Sequence, residues 1–171
     1  MIETICWVLP RPRKNKYKGG FPLHFEKKLI RELGFDEKKD FHRILHPFGG
    51  AAEFGIRCDI NKETEPHYVA DAHNLKCFED SMFDLVILDP PYDNEQANKL
   101  YKTPPLKYKD YILAAVRVCK PQGFIAMYHW VMTPRPEGTT YYKRIVILTR
   151  VWHRPRVCCI FKKIGFRRFS K

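Results

Sequence analysis

The chain has 171 residues, of which 44% are hydrophobic and 14% aromatic, so it is long enough for one folded domain with its own core and short for two. We therefore expect a single domain over residues 1–171. The apolar runs are too short to span a membrane, and the N-terminal basic cluster follows an apolar run, which is the reverse of a signal peptide. These features argue against a membrane protein and predict a cytoplasmic one.

The formal net charge of +12 is unevenly distributed along the chain. Residues 41–95 carry 4 basic and 11 acidic side chains, whereas residues 96–171 carry 17 basic and 2 acidic ones. An acidic middle next to a basic remainder suits a small cofactor site that borders a surface for a polyanion such as nucleic acid. The alternative is that the lysines and arginines only keep the surface soluble.

The first half of the chain predicts one helix and four strands. Residues 23–34 form an amphipathic helix, because apolar residues from Phe25 to Leu33 recur at helical spacing and Gly34 follows as a stop. Short apolar segments come next, each of strand length and bounded by glycine, asparagine, proline or charged residues. They are RILHPF (43–48), GIRCDI (55–60), HYVADA (67–72) and FDLVIL (83–88).

The second half predicts one more helix and three strands. Residues 108–120 place Ile112, Val116 and Cys119 on one helical face, and a Pro-Gln-Gly segment ends the helix. GFIAMYHW (123–130) is of strand length, and YYKRIVILTRVW and VCCIFKK flank an HRPR turn. The whole order predicts an α/β fold with a mostly parallel seven-stranded sheet and a C-terminal antiparallel hairpin. Ligands on such sheets bind at the carboxyl ends of the strands.

Acidic residues stand at the ends of two predicted strands. In HPFGGAAEFGIRCDIN (46–61) a strand enters a glycine-rich turn, and Asp59 ends the next strand, where an acid commonly binds both hydroxyls of a ribose. The turn lacks the G-x-G-x-x-G pattern, so it gives little support for a pyrophosphate cofactor. Asp71 ends the third strand, where it is placed to read an adenine edge. A plain structural cap by Asp71 or Asn74 is an equal alternative.

The segment Asp89-Pro90-Pro91-Tyr92 directly follows the fourth apolar strand. An exocyclic amine on a base is a poor nucleophile, because its lone pair is conjugated with the ring. A carboxylate and a backbone carbonyl that accept the two N–H groups would make the nitrogen more nucleophilic. Pro90 stiffens the backbone that carries the carbonyl, and Tyr92 offers a face for an extruded base. The alternative is that two prolines merely terminate a buried strand.

The cysteines and histidines show no metal-binding spacing. None of the 6 cysteines forms a C-x-x-C pair, and the 7 histidines form neither H-x-x-x-H nor H-E-x-x-H. We expect reduced, buried thiols and no structural metal.

These motifs resemble the class I S-adenosylmethionine-dependent amino-methyltransferases, specifically the DNA adenine-N6 methyltransferases related to the Dam enzymes. YKGGF (17–21) is similar to the family's aromatic-x-Gly-Gly-Lys segment, HPFGGAA (46–52) to its acidic-Pro-Phe-x-Gly-x-Gly segment, and DPPY (89–92) to its catalytic motif. The resemblance implies that S-adenosylmethionine is bound by Tyr17, Phe48, Gly50, Asp59, Asp71 and Ala72. It implies that catalysis depends on Asp89, Pro90, Pro91 and Tyr92.

The resemblance also implies a Rossmann-like domain that methylates the N6 amine of adenine in DNA without a metal. There are departures: Phe21 replaces the usual lysine, His46 the acid and Ala52 the last glycine. The family's target-recognition domain has no evident counterpart, so we expect a short recognition site or a partner subunit that supplies recognition.

Three other readings stay open. The D-P-P-Y motif also serves RNA adenine-N6 and DNA cytosine-N4 methyltransferases, and a small basic domain suits structured or single-stranded RNA. A non-catalytic nucleic-acid-binding subunit of a larger methyltransferase is the third, although the intact Asp59 and Asp89 argue against it.

The second face of the target base needs another aromatic residue. The hairpin RVWHRPRV lies where the family places one, so Trp152 is predicted to clasp the base opposite Tyr92. The alternative is that Trp152 packs in the core. His129 and Trp130, at the end of the fifth strand, are further candidates, and residues 93–107 form either a lid or a connector.

Overall fold

The structure, a computed structural model, describes residues 2–12, 20–92, 105–150 and 154–165. All structural statements below concern these ranges. Tyr17 and Trp152, predicted to contact the cofactor and the target base, lie outside them, as does most of the predicted lid or connector.

Within these ranges the chain forms eight strands and two helices. The strands are β1 (Glu3–Val8), β2 (Ile44–His46), β3 (Ile56–Asp59), β4 (Tyr68–Val69), β5 (Phe83–Leu88), β6 (Cys119–His129), β7 (Thr139–Leu148) and β8 (Arg156–Lys163). The helices are α1 (Phe25–Glu32) and α2 (Tyr108–Val118).

The strands form one sheet in the order β1-β7-β8-β6-β5-β2-β3-β4. From β6 to β4 every neighbouring pair is parallel, whereas β8 is antiparallel to both β6 and β7. The predicted parallel sheet with a terminal antiparallel hairpin is therefore confirmed. The sheet also has an eighth strand that was not predicted, β1, which pairs in parallel with β7 at the edge. Because β2 to β6 are parallel, their carboxyl ends lie along the same edge of the sheet.

Helices cover the two faces of the sheet. Strand β5 is buried on both faces, which explains why its sequence is mostly apolar. Leu85 and Ile87 face the cluster that contains α1, whereas Val86 and Leu88 face the cluster that contains α2. A parallel strand that is buried on both faces has no position for alternating polar residues. Asp89 is thus the first polar residue after the buried run Leu85 to Leu88 of β5.

The observed boundaries depart modestly from the predicted ones. Helix α1 is two residues shorter than predicted at each end, and Gly34 follows it with φ +83°, a conformation that favours glycine. Helix α2 ends at Val118, because Cys119 already pairs with Phe83 as the start of β6. No helix in the described ranges is both long and apolar enough to cross a lipid bilayer.

The cysteines are unpaired thiols in the structure. Four of them are buried, whereas Cys6 and Cys77 are exposed, so the expectation of buried thiols holds for four of the six. No three histidine, cysteine or carboxylate side chains of the described residues come together as a metal site.

Candidate active site at the carboxyl edge of the sheet

The glycine-rich turn after β2 is held against β3. The Gly49 N–H donates to the carbonyl of Cys58 at 2.8 Å, and a Cβ on Gly49 would lie 2.8 Å from the Cβ of Arg57. Gly49 is therefore needed for close packing inside the protein. Gly50 differs, because it has φ +38° and a Cβ there would meet nothing closer than 4.0 Å. This leaves room for a ligand beside Gly50.

Asp59 at the end of β3 binds this turn through its carboxylate. Its Oδ2 accepts the Gly50 N–H at 2.9 Å, and its Oδ1 accepts the Asn61 N–H at 2.9 Å. Each carboxylate oxygen can accept a second hydrogen bond. The two hydrogen bonds fix the side chain in position, and it is still partly exposed to solvent.

Asp71 follows β4 and is bonded to the next turn. Its Oδ1 accepts the backbone N–H of His73 at 2.9 Å and lies 2.7 Å from Nδ1 of the same residue. The Nε2 of His73 accepts the N–H of Lys107 at 3.0 Å, so Nδ1 carries the proton in the neutral ring. Burial alone would raise the pKa of Asp71, but the hydrogen bonds from His73 outweigh it and lower that pKa.

These hydrogen bonds match one of the two interpretations of Asp71, in which its side chain caps the turn that follows. Asn74 caps as well, because its Oδ1 accepts the N–H of Lys76 at 3.0 Å. The side chain of Asp71 is still 40% exposed, and Ala72 beside it is buried. A role for Asp71 and Ala72 at an adenine edge stays a prediction.

Asp89 stands at the end of β5 with little compensation for its charge. Burial raises the pKa of Asp89 to about 7, although the positive charge of Arg156 acts in the opposite direction. A carboxyl with a pKa near neutrality changes its protonation state in the range where most enzymes work. Pro90 is buried and Pro91 partly buried, so the backbone after Asp89 is held in place.

Tyr92 belongs to an aromatic and cationic stack. Its ring stacks on Trp130 with centroids 5.2 Å apart and planes at 17°, and His129 meets it edge-on at 5.3 Å. The Arg156 Nε donates to the Tyr92 hydroxyl at 2.8 Å, with the guanidinium 4.8 Å from the ring centre. The guanidinium of Arg154 lies 4.9 Å from the Trp130 ring centre. We call Tyr92, Trp130, Arg154 and Arg156 the stack.

Residue patterns alone did not indicate a role for the two arginines of the stack. The signal was the Arg-Pro-Arg of the HRPR turn, which was interpreted only as a hairpin connection. Trp130 was a secondary candidate beside Trp152, and its ring stacks on Tyr92 of the D-P-P-Y segment.

Two further residues near this edge are buried and polar. Glu26 of α1 is 8% exposed, and its carboxylate accepts the Glu53 N–H at 3.1 and 3.2 Å. His46 at the end of β2 is 1% exposed, with its Nε2 3.6 Å from the Glu26 carboxylate. Burial raises the pKa of Glu26 to about 7 and lowers the pKa of His46 to about 4. The sequence signal for this pair was a glutamate next to Phe25, on the same helical face as Leu29 and Ile30.

Part of the basic charge after residue 95 is neutralised by acids from the first half of the chain. Arg117 pairs with Asp80 at 2.6 Å and Lys120 pairs with Asp84 at 2.8 Å. Lys143 lies between two glutamates, one from β1 and one from α1. These three cations already have acidic partners, and a nucleic-acid track over the other basic residues stays a prediction.

No protein-family model matches the chain, and no curated protein sequence matches it. Solved structures do match. TrmN from Thermus thermophilus has a TM-score of 0.61 at 17% identity over 86% of this chain and 50% of TrmN, so the chain spans about half the length of TrmN. An rRNA methylase from Streptococcus thermophilus has a TM-score of 0.51 at 10% identity, over 86% of this chain and 99% of the methylase.

The antibiotic-resistance methyltransferase Kmr has a TM-score of 0.50 at 12% identity, over 94% of this chain and 99% of Kmr. At these identities the likeness concerns the fold alone. With its strand order and its antiparallel β8, the chain has a Rossmann-like α/β fold, which it shares with these solved structures.

Proposed function

We propose that this chain transfers a methyl group from S-adenosylmethionine to the exocyclic N6 amine of adenine in DNA. The observation that carries the proposal is the position of Asp89-Pro90-Pro91-Tyr92 at the carboxyl end of β5, on the same sheet edge as Asp59 and Asp71. Ligands of open α/β sheets bind at this edge.

The residues beside β2, β3 and β4 fit the nucleoside part of S-adenosylmethionine. The carboxylate of Asp59 is held by two backbone N–H groups and retains acceptor capacity for two ribose hydroxyls. Gly50 leaves open space next to that carboxylate, which a side chain would narrow. Phe48 is partly buried, and its ring meets Tyr111 of α2 edge-on at 5.3 Å, so it forms a fixed apolar wall.

S-adenosylmethionine, when bound, supplies an electrophilic methyl group. Asp89 is placed to accept one N–H of the target amine, and the carbonyl of Pro90 to accept the other. The amine must lose a proton once it is methylated, and a carboxyl with a pKa of about 7 is suited to take it. Positioning of the amine by these two acceptors supplies much of the rate acceleration.

The target base needs a flat surface and a way out of the duplex. The stack brings two aromatic rings and two guanidinium groups together at this edge. Because Tyr92 and Trp130 already stack on each other, an extruded base would insert between them or replace one of the arginine contacts. Base stacking on an aromatic ring is worth about 1–3 kcal/mol, and arginine adds cation–π attraction and phosphate contact. We therefore assign base binding to Tyr92 with Trp130, while the role of Trp152 stays a prediction.

Single-stranded RNA is the second candidate substrate, because stacking on aromatic and arginine planes suits unpaired bases of either nucleic acid. The solved rRNA methylase with the same fold is consistent with this candidate at the level of fold only.

Nucleoside mass spectrometry of DNA and RNA incubated with protein and S-adenosylmethionine tests the proposal. N6-methyladenine in DNA is expected from the wild type and not from Asp89→Asn, which keeps the shape of the side chain. Methylation found only in RNA, or on cytosine, transfers the proposal to that substrate. Equal methylation by the variant contradicts the role of Asp89.

A further inference from the structure

Glu26 is a buried carboxylate that no lysine or arginine of the described residues neutralises. It is 8% exposed, and its hydrogen bonds come from the backbone N–H groups of Glu53 and Phe54. The Nε2 of His46 lies 3.6 Å from its carboxylate, and Glu53 and Asp89 both disfavour a negative charge on Glu26. A buried carboxylate without a cation costs free energy, so a structural role alone would favour glutamine here.

His46 adds an unsatisfied polar atom at the same place. Its side chain is 1% exposed, and its Nε2 has no hydrogen-bond partner among the described residues. The 3.6 Å between this nitrogen and the Glu26 carboxylate is too long for a hydrogen bond. Buried polar atoms in native proteins nearly always have a partner, so this pair is built for a third group that can donate to both.

The position of Glu26 and His46 at the end of β2 indicates which third group they bind. His46 ends β2, which lies between β3 and β5 in the sheet, and hence between Asp59 and Asp89. In the proposed function, Asp59 binds the ribose of the cofactor and Asp89 binds the target amine. The sulfonium of S-adenosylmethionine carries three groups: the ribose, the methyl group and the amino-acid arm. With the ribose at Asp59 and the methyl group directed to the amine at Asp89, the amino-acid arm is the group that lies at the end of β2.

We propose that Glu26 and His46 together bind the α-ammonium of the amino-acid arm of S-adenosylmethionine. This inference rests on the proposed function. An ammonium carries three N–H donors and one positive charge, whereas the sulfonium has no N–H to offer to His46. The carboxylate supplies the countercharge and the neutral imidazole accepts a second N–H. The resembled family has an acid at the position of His46. In this chain Glu26 of α1 supplies the carboxylate instead, 3.6 Å from the Nε2 of His46.

Two ligands that differ only in this arm test the inference. S-adenosylhomocysteine contains the ammonium, and methylthioadenosine lacks the amino-acid end but keeps adenine and ribose. Calorimetric titration of Glu26→Gln should show a loss of at least about tenfold in affinity for S-adenosylhomocysteine, because a charge-assisted hydrogen bond is removed. Affinity for methylthioadenosine should stay within about twofold of the wild type, which also shows that the variant is folded.

Glu53→Gln is the matched control, because it removes an exposed carboxylate from the same loop while the backbone N–H that binds Glu26 remains. It should leave both affinities unchanged. An equal loss for both ligands in Glu26→Gln would make Glu26 a mere anchor of residues 53–54 and overturn the inference, as would no loss for either. A wild-type protein that binds neither ligand overturns the proposed function itself.

Discussion

Replacement of Glu26 by glutamine should stabilise the unliganded protein at about pH 8. Burial raises the pKa of Glu26 from its ordinary value of 4.5 to about 7. Between these two pKa values the folded state binds more protons than the unfolded state, so the free energy of unfolding falls as the pH rises from 4.5 to about 7. Above about pH 7 the full free-energy cost of ionising Glu26 in the folded protein is present. Glutamine removes the charge and keeps an oxygen that accepts the Glu53 N–H.

The size of the effect follows from the two pKa values. At about 1.4 kcal/mol for each pKa unit, ionised Glu26 costs about 3 kcal/mol of folding free energy above the window. Because the amide of glutamine is itself a buried polar group, about half of this gain should be realised. For a protein of this length, about 1.5 kcal/mol corresponds to a rise of about 3–6 °C in Tm.

Thermal unfolding at two pH values isolates the ionisation of Glu26. At about pH 4.5 the folded wild type carries a neutral Glu26, so the gain from removing the charge falls below about 0.5 kcal/mol. The cost of the buried glutamine amide, about 1.5 kcal/mol, does not depend on pH, so Glu26→Gln should be about 1 kcal/mol less stable than the wild type at this pH. Glu53→Gln should change the unfolding free energy at about pH 8 much less than Glu26→Gln does, because it removes only the repulsion from one exposed acid. An increase in Tm that is the same at both pH values, or a decrease at about pH 8, would refute the assignment of an uncompensated buried charge.

Three further predictions concern the proposed reaction. Asp59→Ala should weaken S-adenosylmethionine binding by at least about tenfold in calorimetry, since it removes the acceptor for the ribose hydroxyls; an unchanged affinity would place the cofactor elsewhere. Wild-type methyl transfer should increase as the pH rises through about 7, because protonated Asp89 cannot accept the amine proton, and a flat single-turnover pH profile would contradict this. Trp130→Ala should weaken binding of single-stranded oligonucleotides by about fivefold or more in fluorescence anisotropy and leave cofactor affinity intact, since base stacking is worth about 1–3 kcal/mol; unchanged oligonucleotide affinity would exclude Trp130 from base binding.

Local patterns predicted the strands that are buried on both faces. The apolar run 83–88 coincides with β5, and the acid after it is at the carboxyl end of the strand as expected. β1 was not predicted because most of its side chains are at least partly exposed, so ETICWV shows neither a continuous apolar run nor a clear alternation. Its partner β7 supplies the stabilising contacts, and no local pattern reveals a partner so distant in sequence.

Some residues of the candidate site could be predicted from the sequence, and others could not. Asp59 and Asp89 follow strands, and the shared edge of parallel strands predicts that they lie on one side. Arg156 contacts Tyr92 only because β8 runs antiparallel beside β6, and Glu26 meets His46 only because α1 packs over β2. These contacts depend on how distant segments pack together, which residue spacing does not encode.

The position of β8 has a consequence for folding on the ribosome. Among the described strands β8 comes last in the sequence, and it inserts between β6 and β7, whereas β1 comes first and pairs with β7. The pair β1-β7 therefore cannot join the other five strands of the described sheet until β8 has emerged, and the contacts that join them are long-range ones, which form slowly. Nascent chains that stall before Arg156 would hold β6 and β7 with unpaired edges, so they should depend on chaperones for solubility.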